Sequence, residues 1–274
     1  MSQDALIKAT AADRGVTDPF PYSYTGAAIV NNYGWTPTAK KYLSKVLAAQ
    51  HKDGGWGNPF GDTTISHAVT TTQHVGPFLL KGYKAGKVPL KTVTRVLDYV
   101  YRLDRGPSST KPGWCLAPNP KAKGMCIHNI SAGAALFVRQ AAEAGITYRP
   151  GMSQLLQAQV TKRETYEYNT SLRSWKYRDD RPEWNDQDHN ALCIESMLRL
   201  APDVGRHALT HSLAGAYDET APLAHVHLKQ FDRAAGTKWV PEVRTYMGKA
   251  VPDGRPGQNI AMWRYAEIAY WASL

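Results

Sequence analysis

One layout occurs three times along the chain, and each time a histidine stands where an apolar run begins. The histidines lie 61 residues apart in both intervals: His67, His128 and His189. A tryptophan precedes each histidine by 11, 14 and 14 residues: Trp56, Trp114 and Trp175. Self-similarity at a fixed period is typical of repeat proteins, whose units bury an apolar face only by stacking on their neighbours. The sequence therefore predicts one domain over residues 1–274, built from a repeat of about 61 residues.

Two kinds of helix are predicted to alternate within this repeat. The apolar helices are expected at 25–34, 64–84, 128–144 and 189–201. The amphipathic helices are expected at 36–50, 90–104 and 151–168. Weaker helical patterns follow at 205–215, 220–234, 241–249 and from 260 onwards. A helix that is apolar all round is enclosed, whereas an amphipathic helix buries one stripe, so the pattern predicts an inner ring of helices wrapped by an outer ring.

Local signals refine this all-α prediction. Thr36 is a predicted N-cap with Pro37 in the first turn of its helix, and Pro77 is expected to kink the helix that contains it. Residues 1–20 are loosely patterned and end in DPFPY, whose prolines oppose a helix. No stretch shows a strand-like alternation of apolar and polar residues, although the tryptophan loops have room for short hairpins.

The stretches QHKDGGWGNP and SWKYRDDRPEWNDQDHNALCIESM resemble the repeats of the α/α-toroid superfamily. This superfamily includes terpenoid cyclases, protein prenyltransferase β subunits and helical polysaccharide lyases. The resemblance covers about residues 40–270 and implies an incomplete barrel of helical hairpins with the tryptophan loops at one end. In the superfamily, the starts of the inner helices line one end of a central cavity. The resemblance therefore implies that one site is faced by His67, His128–Asn129, His189–Asn190 and Gln258–Asn259.

The repeated His-Asn pairs at helix starts have two interpretations. An asparagine there caps exposed N–H groups, so the pairs can be structural. Alternatively, helix starts favour anions, and imidazoles and amides gathered at one mouth would bind a carboxylate and support proton abstraction. On the second interpretation Asn129 and Asn190 neutralise the carboxylate, and His128 or His189 acts as the base.

Charged and aromatic residues are concentrated in the loop before His189. Its acidic residues are Asp179, Asp180, Glu183, Asp186 and Asp188. They either supply the paired carboxylates of a glycoside hydrolase or are solvated loop and helix-cap residues. Arg178 and Arg181 suit carboxylate binding, and Tyr177 is a candidate acid. The tryptophans Trp56, Trp114 and Trp175 suit stacking on sugars, or they close the repeats on each other.

Metal and disulfide chemistry are both left open by the sequence. The three repeated histidines could hold a divalent metal if they converge. Cys115 and Cys126 flank one loop and either form a disulfide or stay free, whereas Cys193 is expected to be buried. No Cys-x-x-Cys motif or second Cys/His pair has the spacing of a structural zinc site.

The charge and the motifs restrict the partners. The formal net charge is +10, which fits an anionic partner or a solvated basic surface. The sequence shows no nucleic-acid-binding motif, no dense basic stripe and no transmembrane span. It shows no signal peptide either, so the chain is expected outside the cell if a signal peptide was removed and in the cytoplasm otherwise. The Asp-rich motifs of terpenoid chemistry are missing too.

Together these features favour an enzyme that cleaves an acidic, uronate-containing polysaccharide by β-elimination. Helical lyases of the superfamily use an Asn, His or Arg to neutralise the substrate carboxylate and a His or Tyr to take the proton. Two alternatives stay open: a glycoside hydrolase that uses carboxylates from 179–188, and a non-catalytic toroid that binds a polymer or a protein.

Overall fold

A computed structural model describes residues 19–58, 62–107, 110–122, 124–172, 174–185, 187–214 and Tyr270. Within these residues the α-helices are α1 (Pro19–Tyr33), α2 (Pro37–Ala48), α3 (Gly76–Lys84), α4 (Leu90–Arg102), α5 (His128–Glu143), α6 (Pro150–Glu167), α7 (Gln187–Leu200) and α8 (Pro202–Ala214). A π-helix (Thr70–Val75) leads directly into α3, and two short strands, β1 (Asp104–Pro107) and β2 (Trp114–Leu116), form an antiparallel hairpin. The all-α prediction is confirmed, and a tryptophan loop does hold a hairpin.

The helices pack as consecutive pairs. α1 packs on α2, α3 on α4, α5 on α6 and α7 on α8. The odd-numbered helices also pack on each other in chain order, α1 on α3, α3 on α5 and α5 on α7. The odd-numbered helices therefore form an inner layer, which the even-numbered helices flank. Long loops precede the π-helix, α5 and α7, and short turns follow α1, α3, α5 and α7.

Burial follows the predicted difference between the two kinds of helix. In α5 the first eleven residues, from His128 to Val138, are all buried, as expected of an enclosed helix. In α4 the buried side chains fall at helical spacing on one face: Val93, Val96, Leu97 and Val100. Burying a side chain of this size contributes roughly 1.5–3 kcal/mol, so this stripe fixes the orientation of α4 against the core.

The start of α2 matches its prediction. Thr36 has extended backbone angles, and its Oγ1 accepts a hydrogen bond from the backbone N–H of Ala39 at 3.2 Å. Pro37 follows at the first helical position, where the missing N–H costs no hydrogen bond. Gly34 precedes this turn with φ of 72°, a conformation that favours glycine.

Two boundaries differ from the sequence predictions. α1 begins at Pro19, inside the segment expected to oppose a helix, because Pro19 and Pro21 both lie in the first turn, whose N–H groups have no intrahelical partner. The helix that contains Pro77 changes from π-helix to α-helix at Gly76, one residue before the proline at which the sequence predicts a kink. A side chain at Gly76 would collide with Phe137, since its Cβ would lie 2.6 Å from that ring.

Apart from Tyr270, which is helical, the patterns predicted beyond 214 lie outside the described residues. The described helices include none that is both long enough and apolar enough to cross a membrane.

Candidate functional site

The loop that precedes α7 crosses the start of α5. Ile127 and Arg178 form an isolated antiparallel bridge. On either side of it, the backbone N–H of His128 donates to Tyr177 O and that of Asp179 donates to Cys126 O, both at 3.4 Å. These contacts bring the residues around the second repeated histidine against the loop that leads to the third.

His128 is buried between two carboxylates. Its Nδ1 donates to Glu164 Oε2 at 2.8 Å, and its Nε2 donates to Asp179 Oδ1 at 3.0 Å. Glu164 comes from α6, whereas Asp179 comes from the loop before α7. The ring and the Glu164 side chain are both fully inaccessible to solvent. His128 therefore ties together an inner helix, its outer partner and the loop of the next repeat.

Two further cations complete this network. Arg163 binds the second oxygen of Asp179, and Lys111 Nζ lies 3.4 Å from Asp179 Oδ1. Lys111 also pairs with Glu167 at 2.9 Å. With His128 protonated, the network holds three cations and three carboxylates, which satisfies the requirement that buried charges be paired.

The electrostatics keep His128 protonated. Burial opposes the charged ring, but the negative charges of Glu164 and Asp179 outweigh it and raise the pKa of His128 to about 9. Burial would raise the pKa of Asp179, yet His128 and Arg163 hold the pKa of that carboxyl well below its usual range. A histidine with both nitrogens occupied by carboxylates cannot accept a proton. The role of general base expected for His128 does not fit this arrangement.

The third repeated histidine lies beside a tyrosine. The rings of His189 and Tyr177 make an edge-to-face contact with centroids 4.8 Å apart, and both residues are half-buried. The neighbouring Asn190 accepts a hydrogen bond through Oδ1 from Ser174 Oγ at 3.0 Å. This contact orients the carboxamide. The structure therefore brings together Tyr177 and His189, two residues that the sequence proposed for catalysis, and Asn190 follows His189 in α7.

The first repeated histidine has a different environment. The backbone N–H of His67 donates to Trp56 O at 2.8 Å, and its ring Nδ1 is buried without a partner among the described residues. Burial lowers the pKa of His67 to about 4. In the π-helix that follows, His74 Nδ1 bonds the hydroxyl of Tyr24 at 2.9 Å, and burial lowers its pKa to about 3. Both rings are therefore neutral at pH 7.

Asn129 lies behind the site instead of at its surface. It is 2% exposed, and its backbone O accepts from Gln73 Nε2 at 3.1 Å. Within the described part of the chain its side-chain Oδ1 has no hydrogen-bond partner. A substrate would reach this amide only if neighbouring groups moved.

For two of the three tryptophan loops, the structure explains why a tryptophan recurs. Trp56 and Trp175 are fully buried, and their ring N–H groups donate to Val46 O at 2.7 Å and to Glu164 O at 2.8 Å. Each tryptophan therefore bonds the outer helix that precedes it. Neither ring is available to stack on a sugar in this conformation, whereas Trp114 in β2 is half-buried.

The other predicted site residues fall into two groups. The arginines of the loop pair with its carboxylates: Arg178 with Asp180 at 2.6 Å and Arg181 with Glu183 at 4.0 Å. Four predicted positions cannot be located in full. Asp186, Gln258 and Asn259 lie outside the described residues, as does the side chain of Asp188.

Two groups of side chains in the described ranges bring three possible metal ligands within 4.8 Å of one another. One is Cys115, Cys126 and Asp179, and the other is His128, Glu167 and Asp179. Neither contains His67 or His189, so the three repeated histidines do not converge on one ion. Cys115 and Cys126 are joined as a disulfide, while Cys193 is a buried free thiol.

A cleft of about 420 Å³ lies at the opposite end of the inner helices. Its lining includes Lys81 and Lys84 of α3, Glu143 of α5, Arg199 of α7 and Tyr270. Glu143 and Arg199 are near the ends of α5 and α7, whose starts carry His128 and His189, and α5 spans about 24 Å at 1.5 Å per residue. None of the predicted site residues is among the described residues that line this cleft.

Four residues of the ion network were not predicted: Lys111, Arg163, Glu164 and Glu167. A signal for three of them exists in α6. The buried Leu156 and Val160 define a stripe at helical spacing, and positions 163, 164 and 167 continue it. Charged residues on an apolar stripe indicate buried, paired charges.

A scan against family models and a search of curated proteins both find no match to this chain.

Proposed function

We propose that the helical pairs form an α/α toroid, closed by the segment that carries Tyr270. The ring of Tyr270 is 5.1 Å from that of Tyr24 in α1, measured between centroids. Tyr270 also lines the cleft together with Glu195 and Arg199 of α7. It therefore lies between the first and the last described inner helices, as ring closure requires.

Equivalent contacts in different loops support the proposed repeat. Trp56 bonds a carbonyl of the outer helix 10 residues before it, and Trp175 does so 11 residues before it. Gly54 and Gly113 both have positive φ, and each comes just before a tryptophan. Gly54 lies against the carbonyl of Arg95 in α4, and Gly113 lies against the carbonyl of Gln159 in α6. A Cβ at either glycine would lie 2.2 Å from that oxygen.

We further propose that the protein cleaves an acidic, uronate-containing polysaccharide by β-elimination. The observation that carries the proposal is the contact between Tyr177 and His189 at a half-buried position where an inner helix starts. Elimination needs a base for the proton next to the uronate carboxyl group and an acid for the departing glycosidic oxygen. Histidine and tyrosine supply these functions within one site. The net charge of +10 favours a polyanionic substrate.

In this proposal His189 takes the proton and Tyr177 protonates the leaving oxygen. Asn190 directs its amide N–H groups to the uronate carboxyl group, because Ser174 already occupies its carbonyl oxygen. His128 has a positioning role, since its backbone N–H holds the carbonyl of Tyr177.

Hydrolysis by the acidic loop is the less favoured alternative. A glycoside hydrolase needs a carboxylic acid that stays protonated near neutral pH. Hydrogen bonds from Arg178 lower the pKa of Asp180, and the network around His128 lowers that of Asp179. These carboxylates are therefore poor general acids.

A screen of polyuronates tests the proposed function. The substrates are pectate, alginate, hyaluronan, chondroitin, heparin and glucuronan, each with and without EDTA, and the readout is the ultraviolet absorbance of the unsaturated product. On a polymer that is cleaved, we expect His189→Ala and Tyr177→Phe each to lose about 10²–10⁴-fold in kcat. Tyr166→Phe is the control because Tyr166 is 60% exposed on α6 and has no role in the proposed site.

Three outcomes would contradict elimination through this pair. Reducing ends without the unsaturated product would favour hydrolysis. Polymer binding without turnover would favour the non-catalytic alternative. Full activity in both variants would move the chemistry to other residues. Loss of activity on EDTA treatment, by contrast, would leave elimination in place and assign the neutralising role of Asn190 to a metal.

A further inference from the structure

The short turn between α1 and α2 and the one between α3 and α4 lie side by side. Lys87 of the second turn places its Nζ 5.6 Å from the ring centroid of Trp35 in the first turn. The ring of Trp35 also stacks on Phe78 of α3, with centroids 5.6 Å apart. These contacts join the two turns into one surface. It lies at the end of the inner helices that is opposite to the repeated histidines.

This surface, here called the basic face, carries six lysines. All but Lys81, which is half-buried, are exposed: Lys40, Lys41, Lys81, Lys84, Lys87 and Lys91. Residues 19–97 contain only two acidic residues, Asp53 and Asp62, and both belong to the loop of Trp56 at the other end of the inner helices. The helices that build the basic face therefore supply no carboxylate to balance its charge.

Helix stability accounts for only part of this pattern. Lys81 and Lys84 suit the end of α3, because the end of a helix carries a partial negative charge. Lys40 and Lys91 lie at the starts of α2 and α4, where a carboxylate would be favourable and a lysine is not. Neither helix has an acidic residue in its first turn. An anion bound at this face would be attracted both by the lysines and by the two helix starts.

The basic face extends to the cleft at the same end of the molecule. Lys81 and Lys84 line the cleft, and burial together with the charge of Lys84 lowers the pKa of Lys81. An anion between the two ammonium groups would relieve their repulsion. The part of the cleft that α7 supplies is different, because Arg199 pairs with Glu143 and Glu195 adds a second carboxylate. The excess positive charge is therefore confined to the first two helical pairs.

We propose that the basic face binds a second stretch of the acidic polysaccharide, away from the residues that cleave it. Carboxylates repeated along a polymer complement lysines spread over two turns, and the ring of Tyr33, 52% exposed at the end of α1, suits contact with a sugar. All six cations are lysines, which lack the planar fork with which arginine binds phosphate at two points, so a polyuronate fits better than a nucleic acid.

The polyuronate as the partner rests on the proposed function, whereas the attraction of this face for polyanions does not. Electrophoresis tests both without turnover, in gels that contain pectate, alginate, DNA or no polymer. Every protein carries His189→Ala so that the polymers stay intact, and the retardation at several polymer concentrations gives the dissociation constant.

Lys91→Glu is the variant that separates binding from folding. A glutamate at the start of α4 favours the helix, so the unfolding midpoint is expected not to fall, although the charge at the basic face is reversed. We expect binding of pectate or alginate to weaken by about tenfold or more. Lys162→Glu is the matched control, because it changes the net charge equally at an exposed position of α6 and is expected to bind like its parent.

Equal retardation of Lys91→Glu and Lys162→Glu would overturn the proposal, and so would a parent protein that none of the polymers retards. Retardation by DNA but by neither polyuronate would overturn the choice of partner and assign the face to a nucleic acid. The proposed function fails separately. Polyuronate binding that depends on Lys91, in a protein whose wild type cleaves no polyuronate, would support the basic face and reject elimination.

Discussion

At the residue scale, His128 shows what the sequence can and cannot reveal. Its position at the start of an apolar helix is visible in the sequence, and the structure places it there, as the first residue of α5. Its chemistry depends on Glu164, which is 36 residues away, and on Asp179, which is 51 residues away. Partners at such distances follow from how α6 and the next loop pack, so the sequence alone leaves both a structural role and the role of base open for His128.

The raised pKa of His128 predicts how stability depends on pH. Because the folded-state value is about 9 and the ordinary value is 6.5, the folded state holds its proton more tightly than the unfolded chain. This contribution, on the order of 3 kcal/mol, is complete below pH 6.5 and is lost as the pH rises towards 9. The free energies of unfolding of the wild type and of His128→Gln, measured in denaturant between pH 6.5 and 9, give this contribution.

The stability difference between the two proteins is expected to shrink as the pH rises. His207→Gln is the control for the loss of an imidazole, because His207 is exposed on α8. A difference between wild type and His128→Gln that stays constant from pH 6.5 to 9 would contradict a charged His128.

At the element scale, the sequence predicted most helices because their signals are local. Caps, prolines and periodic apolar positions act over one or two turns, as at Thr36 and along α4. α1 starts earlier than the sequence predicts because Pro19 and Pro21 lie in its first turn, where prolines cost no hydrogen bond. The sequence does not predict the π-helix. Its sequence, TTTQHV, shows no local feature that predicts a π-helix. Its polar side chains are buried by contacts with α1 and α5, which are distant in the sequence.

The N-cap of α2 gives a prediction at this scale. Thr36→Ala removes the acceptor for the backbone N–H of Ala39 and is expected to destabilise the protein by about 0.5–2 kcal/mol. Thr38→Ala is the matched control, because Thr38 is exposed two residues further along the helix. It is expected to stay within about 0.5 kcal/mol of wild type. Equal midpoints of urea unfolding for the two variants would show that Thr36 does not act as a cap.

At the scale of the whole molecule, the proposed toroid depends on contacts between distant parts of the chain. The sequence predicts alternating helices, but the order in which they pack is seen only in the structure, where each inner helix contacts the next. Ring closure rests on Tyr270, which lies beside Tyr24 across almost the whole length of the chain. Such a contact has no local signal, so it could be predicted only through the resemblance to toroids.

Tyr270→Ala tests the closure. The side chain is 5% exposed, so its truncation is expected to cost about 3–5 kcal/mol, as for other large buried rings. Tyr166→Ala is the control, since Tyr166 is 60% exposed on α6, and it is expected to have little effect. The measurement is the free energy of unfolding in denaturant. A loss for Tyr270→Ala no larger than for Tyr166→Ala would argue that the ring is not closed at this point.

Tyr177 and His189 are proposed to cleave a polyuronate by elimination, and the isotope content of the products tests this most directly. The reaction is run in water enriched in heavy oxygen on whichever polymer the screen identifies, and the oligosaccharides are weighed by mass spectrometry. Elimination forms a double bond without adding water, so we predict products that carry no heavy oxygen from the cleavage and that are lighter by one water than hydrolysis products. Heavy oxygen at each new chain end would show hydrolysis and contradict the proposed function.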